Sequence, residues 1–456
     1  MREADITVGP HTRKALENQD AEFGLLLPRL QHLEHYDIRE YDFGIVRLSS
    51  QLRHLSLRVH EEAYRCAPVL VAECISSRLG GILWRLRSFT ISGSLPPRCA
   101  CVPWWTFSDL HCLKVNYRVE LPLAILKDVS KFPHLRTLKF AHFTLADEAT
   151  RSPGRLRSPV QQHGFRSLRR LVLMARPYEV ERFCSIVDRY GVFALEALGI
   201  GIFVRSEDRP PSLDASLRAG TSLLSEATQE VSLEVVNTGD RDAVDPGVAA
   251  LLVPRRLLDL LRLSPATDLW SCRLRFKNLD YAMTPDDLVM LSDPEDAVWP
   301  NLSHFQVRYC DRALEDIEYG RATRPLPTLA SVRAFARAHP RLDELGVPAL
   351  DVEDVRAAGD EDVRTLRYLH IGTLERGKPL ARLAAALLRT FPELRVPQLR
   401  APPSATVSGA SRGPYGMDVF MEEPPVDDLH RRMRGRQEQR LTRLRKCRSS
   451  SSIRTM

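Results

Sequence analysis

The stretch Phe132-Pro133-His134-Leu135-Arg136-Thr137-Leu138-Lys139-Phe140 decides how this chain folds. It reads aromatic, Pro, x, Leu, x, x, Leu, x, apolar. The same phrase returns as Trp299-Pro300-Asn301-Leu302-Ser303-His304-Phe305-Gln306-Val307, and in worn form as His339-Pro340-Arg341-Leu342-Asp343-Glu344-Leu345-Gly346-Val347. A phrase recurring at intervals of tens of residues signals a repeat architecture. Reduced to L-x-x-L-x-L, its copies begin at Leu30, Leu52, Leu86, Leu110, Leu135, Leu168, Leu195, Thr228, Leu269, Leu302, Leu342 and Leu366. The shorter spacings match the ~20–29 residues of leucine-rich repeats, and the longer ones leave room for loop insertions.

Several copies are imperfect. His35 stands at the third apolar position of the first, Thr228 replaces a leading leucine, and Cys272 replaces a middle one. Phe391-Pro392-Glu393-Leu394 reads as a last turn. The alternation L-x-L predicts a short strand with its leucines turned inward. Helices are expected between strands, over Ala63–Leu79, Leu121–Ser130, Glu179–Tyr190, Gly247–Arg262, Leu326–Ala338 and Pro379–Thr390. Pro133, Pro300, Pro340 and Pro392 stop the preceding helix, because proline lacks an N–H and disfavours helix in the residue before it. Phe132, Trp299 and Phe391 then fill the space between helix and strand layers. The predicted fold is an α/β leucine-rich-repeat solenoid of about twelve irregular repeats, a curved parallel sheet with helices on its convex side.

Four segments are expected. Residues 1–24 form an N-terminal extension, with a short helix near 12–23. Residues 25–400 form the array, interrupted by exposed loops at 146–164 and 205–222. Residues 401–428 read as a disordered Pro/Ser/Gly linker. Residues 429–456 are a basic tail with ten Lys+Arg and one acid. The whole chain carries +7, so the tail's +9 leaves −2 for residues 1–428. The repeats are therefore nearly neutral, and net charge gives no reason for them to bind nucleic acid. The tail could bind nucleic acid, an acidic lipid surface or an import receptor, or serve only as a solubilising tail.

The charged start shows no secretory signal, and the longest apolar runs fall far short of the ~18–20 residues needed to span a bilayer. Nine scattered cysteines suit reduced thiols, so cytoplasm or nucleus is expected. Cys99-Ala100-Cys101 and His111-Cys112 invite a zinc reading. Their spacing is shorter than the usual C-x₂₋₄-C, and neighbours in a strand point to opposite faces, which favours free thiols. Phosphate-binding glycine loops, H-E-x-x-H and G-x-S-x-G are all missing; Gly199-Ile200-Gly201 lacks a third glycine. No catalytic residue, cofactor or metal is expected, and the chain reads as a binding protein rather than an enzyme.

Binding should fall to the residues between the inward leucines, which face the concave side of such a sheet. The candidates are His54, Arg58, Lys114, Lys139, Arg170, Arg273, Arg275, His304, Arg308, Tyr368 and His370. Many are basic and would suit an acidic or phosphorylated protein segment. Charges on a solvated sheet face also serve solubility alone.

Phe132–Leu138, Thr284-Pro285-Asp286-Asp287-Leu288 with Trp299–Leu302, and the run from Leu329 to Leu342 together resemble the degenerate leucine-rich-repeat region of fungal F-box proteins. The resemblance covers residues 25–400. It implies substrate recognition for a ubiquitin ligase, with an F-box that binds a Skp-type adaptor and through it a cullin. No F-box is recognisable in the 24 residues before Leu25, so adaptor and cullin are expected only if one precedes Met1. Two alternatives are a leucine-rich-repeat scaffold or regulator without a ligase, and a nucleic-acid-associated protein acting through its tail.

Overall fold

The computed structural model describes residues 3–5, 29, 31–38, 51–59, 83–93, 106–121, 123–145, 164–189, 194–205, 210–238, 253–262, 265–277, 283–292, 299–310, 325–351, 363–374 and 380–395. The helices expected near 12–23 and 63–79, the loop at 146–163, Cys99, Cys101, the linker and the basic tail lie outside these residues. The chain divides into two compact units, Met1–Val248 with Asp259–Thr267, and Ala249–Leu258 with Asp268–Met456.

The first unit carries β1 (Glu3–Asp5), β2 (His32–Ile38), β3 (His54–Val59), β4 (Ser88–Gly93), β5 (Cys112–Leu121), β6 (Thr137–Leu145), β7 (Arg170–Ala175), β8 (Ala197–Val204) and β9 (Glu230–Asn237). Each pairs in parallel with the next in sequence. Helices α1 (Leu123–Val129), α2 (Pro177–Arg189) and α3 (Pro210–Thr221) lie in the connections. The second unit repeats the scheme with β10 (Ser271–Lys277), β11 (His304–Cys310), β12 (Glu344–Ala349) and β13 (Tyr368–Thr373), again parallel neighbours in sequence order. Its connections hold α5 (Pro285–Met290) and α6 (Leu329–Ala338), and α7 (Leu380–Thr390) follows β13; α4 (Val253–Arg262) falls at the boundary of the division.

The L-x-x-L-x-L phrase sets the register. Leu55, Phe89, Leu113, Leu138, Leu171, Leu198 and Val231 are successive Cα partners, and so are Leu57, Ile91, Val115, Phe140, Leu173, Ile200 and Leu233. All are buried, as are the leading residues Leu52, Leu86, Leu110, Leu135, Leu168 and Leu195. Because side chains alternate with period two, burying one face of every strand allows a single register. Helices cover the leucine side: Phe183 of α2 packs on Phe140 and Phe143 at 5.7 and 5.2 Å, and Phe335 of α6 packs on Phe305 at 4.9 Å.

The proline has a second task beyond ending a helix. In Phe132–Leu135, Trp299–Leu302, His339–Leu342 and Phe391–Leu394 the leucine N–H donates to the carbonyl of the first residue. Proline is thus the second residue of a four-residue turn, where its fixed φ is already correct. Phe165–Leu168 and Leu83–Leu86 close the same turn without proline. Phe132, Trp299 and Phe391 are buried, as expected. Two adjacent N–H groups then share one carbonyl of the preceding repeat: those of Arg136 and Thr137 donate to His111 O, and those of Arg169 and Arg170 to Arg136 O. Arg395 N donates to Arg367 O in the same place, so Phe391–Leu394 does form a further turn.

The imperfect copies are accommodated individually. Thr228 is buried, its hydroxyl donating to Leu195 O at 2.9 Å and accepting from Ser225 N at 3.0 Å. Cys272 is buried, and burial pushes its thiol pKa up to about 12, so the neutral sulfur fills a leucine site. Between Leu33 and Tyr36 the register of β2 against β3 slips, so Tyr36 and not His35 stands opposite Leu57.

Within the N-terminal extension, Glu3–Asp5 pairs in parallel with β2 at His32–Glu34. One expectation is corrected. Residues 210–221, assigned to an exposed loop, form α3. Pro210 and Pro211 occupy its first turn, where no N–H partner is required. Leu213, Leu217 and Gly220 make its buried stripe, and a Cβ on Gly220 would overlap Ile200.

Candidate partner-binding faces

The candidate residues all stand on the side of their strands opposite the buried leucines, and they fall into different groupings. In the first unit Lys114 and Lys139 are direct Cα partners on β5 and β6, in a row with Thr90 and Val172. Burial first, and the neighbouring Lys114 charge second, hold the Lys139 pKa below its ordinary value. The Oδ1 atom of Asn116, two residues along from Lys114, is buried with no hydrogen-bond partner. Arg170 is placed elsewhere: it reaches over Ala197 to Glu230 at 3.1 Å, both side chains largely exposed, which contributes little stability. His54 stacks on His32 with ring centroids 4.0 Å apart, and Arg58 is exposed on β3. The glycines of Gly199-Ile200-Gly201 lie within β8, where a Cβ would press on Val172 and Met174.

The second unit gathers more. Ser271, His304, Glu344 and Tyr368 are successive partners, and so are Arg273, Gln306, Gly346 and His370. Arg275 and Arg308 sit opposite each other. The carboxylate of Glu344 lies between two imidazoles, with Oε1 at 3.3 Å from His370 Nε2 and Oε2 at 3.8 Å from His304 Nε2. Burial lowers the His370 pKa most; Glu344 pulls it up and Arg308 pushes it down. Trp270 meets His304 edge-on at 5.1 Å, and His304 Nδ1 is buried without a partner. A Cβ on Gly346 would stand 2.7 Å from Gln306 Cγ, so the glycine lets Gln306 lie across β12. Arg395 Nη1 donates to Tyr368 Oη at 3.4 Å.

Glu344 and Arg395 are the residues that sequence reasoning missed. Applying the same alternation to His339–Val347 would have placed Glu344 and Gly346 in the row. Arg395 carries no such signal, because it belongs to the fragmentary last turn. His111 and Cys112 are described: the His111 ring stacks on His134 at 5.6 Å, and Cys112 begins β5 on its outer face. Among the described residues no group of three His, Cys, Asp or Glu side chains could hold a metal ion. No helix among them is long and apolar enough to cross a membrane. No protein-family model matches the chain, and no curated protein matches it.

Proposed function

We propose that the chain is a leucine-rich-repeat protein that holds a protein partner against the leucine-free face of its sheets, as the substrate-recognition component of a ubiquitin ligase. The observation that carries the binding half is like charge set side by side, Lys114 opposite Lys139. Opposed like charges in a sheet oppose folding, and the cost disappears when a bound anion lies between them. Arg275 and Arg308 are likewise direct Cα partners in the second unit. A carboxylate-rich or phosphorylated segment is the partner chemistry these cations fit. The ligase half rests on the resemblance of the helix-then-strand phrase at Leu329–Leu342 to the repeats of F-box proteins.

Affinity capture with the full chain as bait tests both halves. Arg273→Glu with Arg308→Glu should lower partner recovery at least tenfold while the Tm stays within a few degrees. Recovery at the wild-type level would refute the face assignment. A Skp-type adaptor and a cullin among the captured proteins would support the ligase role. A specific partner captured without either would make the protein a scaffold.

A further inference from the structure

The repeats also align residues that do not lie on the sheet face. The turn that opens each strand of β3 to β7 contributes Arg53, Arg85, Arg87, Arg136, Arg166 and Arg169, with His111 and His134, against one acid, Asp109. At the position just before the strand the residues run Arg53, Arg87, His111, Arg136, Arg169 through five consecutive repeats. Beyond them the positive charge ends, with Glu196 and then the uncharged Gln229. The backbones of this column are locked together, since the carbonyls of Arg53, Arg87, His111 and Arg136 each accept two N–H bonds from the next repeat. The turns are tied as well, by Ser108 Oγ donating to Trp84 O and Ser167 Oγ donating to Pro133 O. With strands about 4.8 Å apart, the column of four arginines and His111 spans roughly 19 Å.

Their surroundings narrow the ligand. Trp84 lies in the same rim, 45% exposed, with the Arg85 guanidinium 4.2 Å from its ring centroid. Arg87 and Arg136 have no side-chain partner among the described residues, whereas Arg169 lies 3.6 Å from Glu196. At the β6–β7 end the rim opens into a groove of about 620 Å³, with Arg136, Arg166, Arg169 and Arg170 on one side and Glu196 and Glu230 on the other. The buried core of an interface with a folded protein is more apolar than its rim, unlike the contact with a charged segment proposed for the sheet face. Among the described residues of these turns, Leu86, Leu110, Leu135 and Leu168 are all buried, and Trp84 is the exposed large apolar side chain. Arginines before four of the five strands β3 to β7 match a polymer whose anionic charges recur along its length. An exposed indole among guanidinium groups offers a stacking surface for a base.

We propose that this N-terminal rim of the first unit binds single-stranded nucleic acid, with the phosphodiester backbone along Arg53, Arg87, Arg136 and Arg169 and a base stacked on Trp84. The site uses the turn residues rather than the candidate row of the sheet face, which it meets at Arg170, and takes no residue from 429–456.

Fluorescence anisotropy of a labelled oligo(dT) of about 12 nucleotides, titrated with the full chain over a range of salt, tests this. Replacing Arg87, Arg136 and Arg169 with Glu should weaken binding at least tenfold near 0.1 M salt. The slope of log K against log salt should become shallower by about 2, at ~0.7 per phosphate contact. Trp84→Ala should weaken binding about tenfold and leave the slope unchanged. Partner capture through the sheet face should be unaffected by either change, so failure here and failure of the protein-binding reading are distinguishable. If the triple variant loses Tm, Arg87→Gln with Arg136→Gln, which leaves the Arg169–Glu196 pair in place, should still give a slope shallower by about 1.4. Wild-type affinity and slope in a folded rim variant would overturn the proposal. So would a lack of binding by the wild type at low salt, or displacement by polyglutamate as effective as by unlabelled oligonucleotide.

Discussion

Lys114 and Lys139 illustrate what a sheet does to single side chains. Parallel pairing sets their Cα atoms opposite each other, and half-burial removes some of the water that would screen them. The result is a local cost that a partner's anion would relieve. Lys114→Thr should therefore raise stability by about 0.2–1 kcal/mol, read as a higher urea midpoint with an unchanged m-value. The same variant should recover less partner in affinity capture. A variant that lost both stability and capture would mean that Lys114 packs the sheet rather than serving a partner. Thr228 and Cys272 make the complementary point: a polar or smaller residue can occupy a leucine site when its hydroxyl is satisfied or its thiol stays neutral.

At the scale of elements, helix ends and turns carry the repeat as much as strands do. α6 begins with Thr328, whose Oγ1 accepts from Ser331 N at 3.1 Å while Thr328 N donates to Ser331 Oγ at 3.0 Å. At α5, Thr284 N and Oγ1 both donate to Asp287 Oδ2. Each arrangement satisfies donors that a helix start would otherwise leave unpaired. Thr328→Ala should cost about 1 kcal/mol, measured by urea unfolding, because Val332 and Phe335 of that helix are fully buried and depend on its entry angle. The four residues from aromatic to leucine act as a hinge of fixed geometry between helix and strand. That explains why Pro133, Pro300, Pro340 and Pro392 recur although Phe165–Leu168 closes the same turn without one.

For the molecule as a whole, the imidazoles set an acid limit. His339 occupies the aromatic site of its turn, 2% exposed, with Nε2 3.1 Å from Leu291 O. Burial lowers its pKa below 6.5, against the opposing pull of backbone carbonyls. Burial likewise lowers His142, which has a positive φ of 57° and stacks on Phe203 at 4.5 Å, and it lowers His370. As pH falls below about 6.5 the unfolded chain takes up protons at these residues before the folded chain does. Stability therefore falls with pH through that range and is regained above it. The Tm should be lower at pH 5.5 than at pH 7.5. His339→Phe, which restores the residue found at Phe132, Phe165 and Phe391, should flatten that dependence; an unchanged difference between the two pH values would remove His339 from the explanation.

Local pattern was enough for much of this. The leucine spacing, the aromatic-proline phrase and the helix stripes of 179–190, 326–338 and 379–390 determined strands, turns, helices and register, because burial of alternate residues admits few alternatives. It also determined which side chains face away from the core, and so the candidate row from His54 to His370. Three things needed the tertiary structure. Pro210-Pro211 opens a helix because Leu213, Leu217 and Gly220 have Ile200 and its neighbours to pack against, and no local rule distinguishes that from a loop. Glu344 lies between His304 and His370 because three strands bring together residues 40 and 26 positions apart in sequence. The arginine column along the rim exists only because successive turns stack. In sequence those charges are scattered through a nearly neutral body, and their proximity is a property of the sheet.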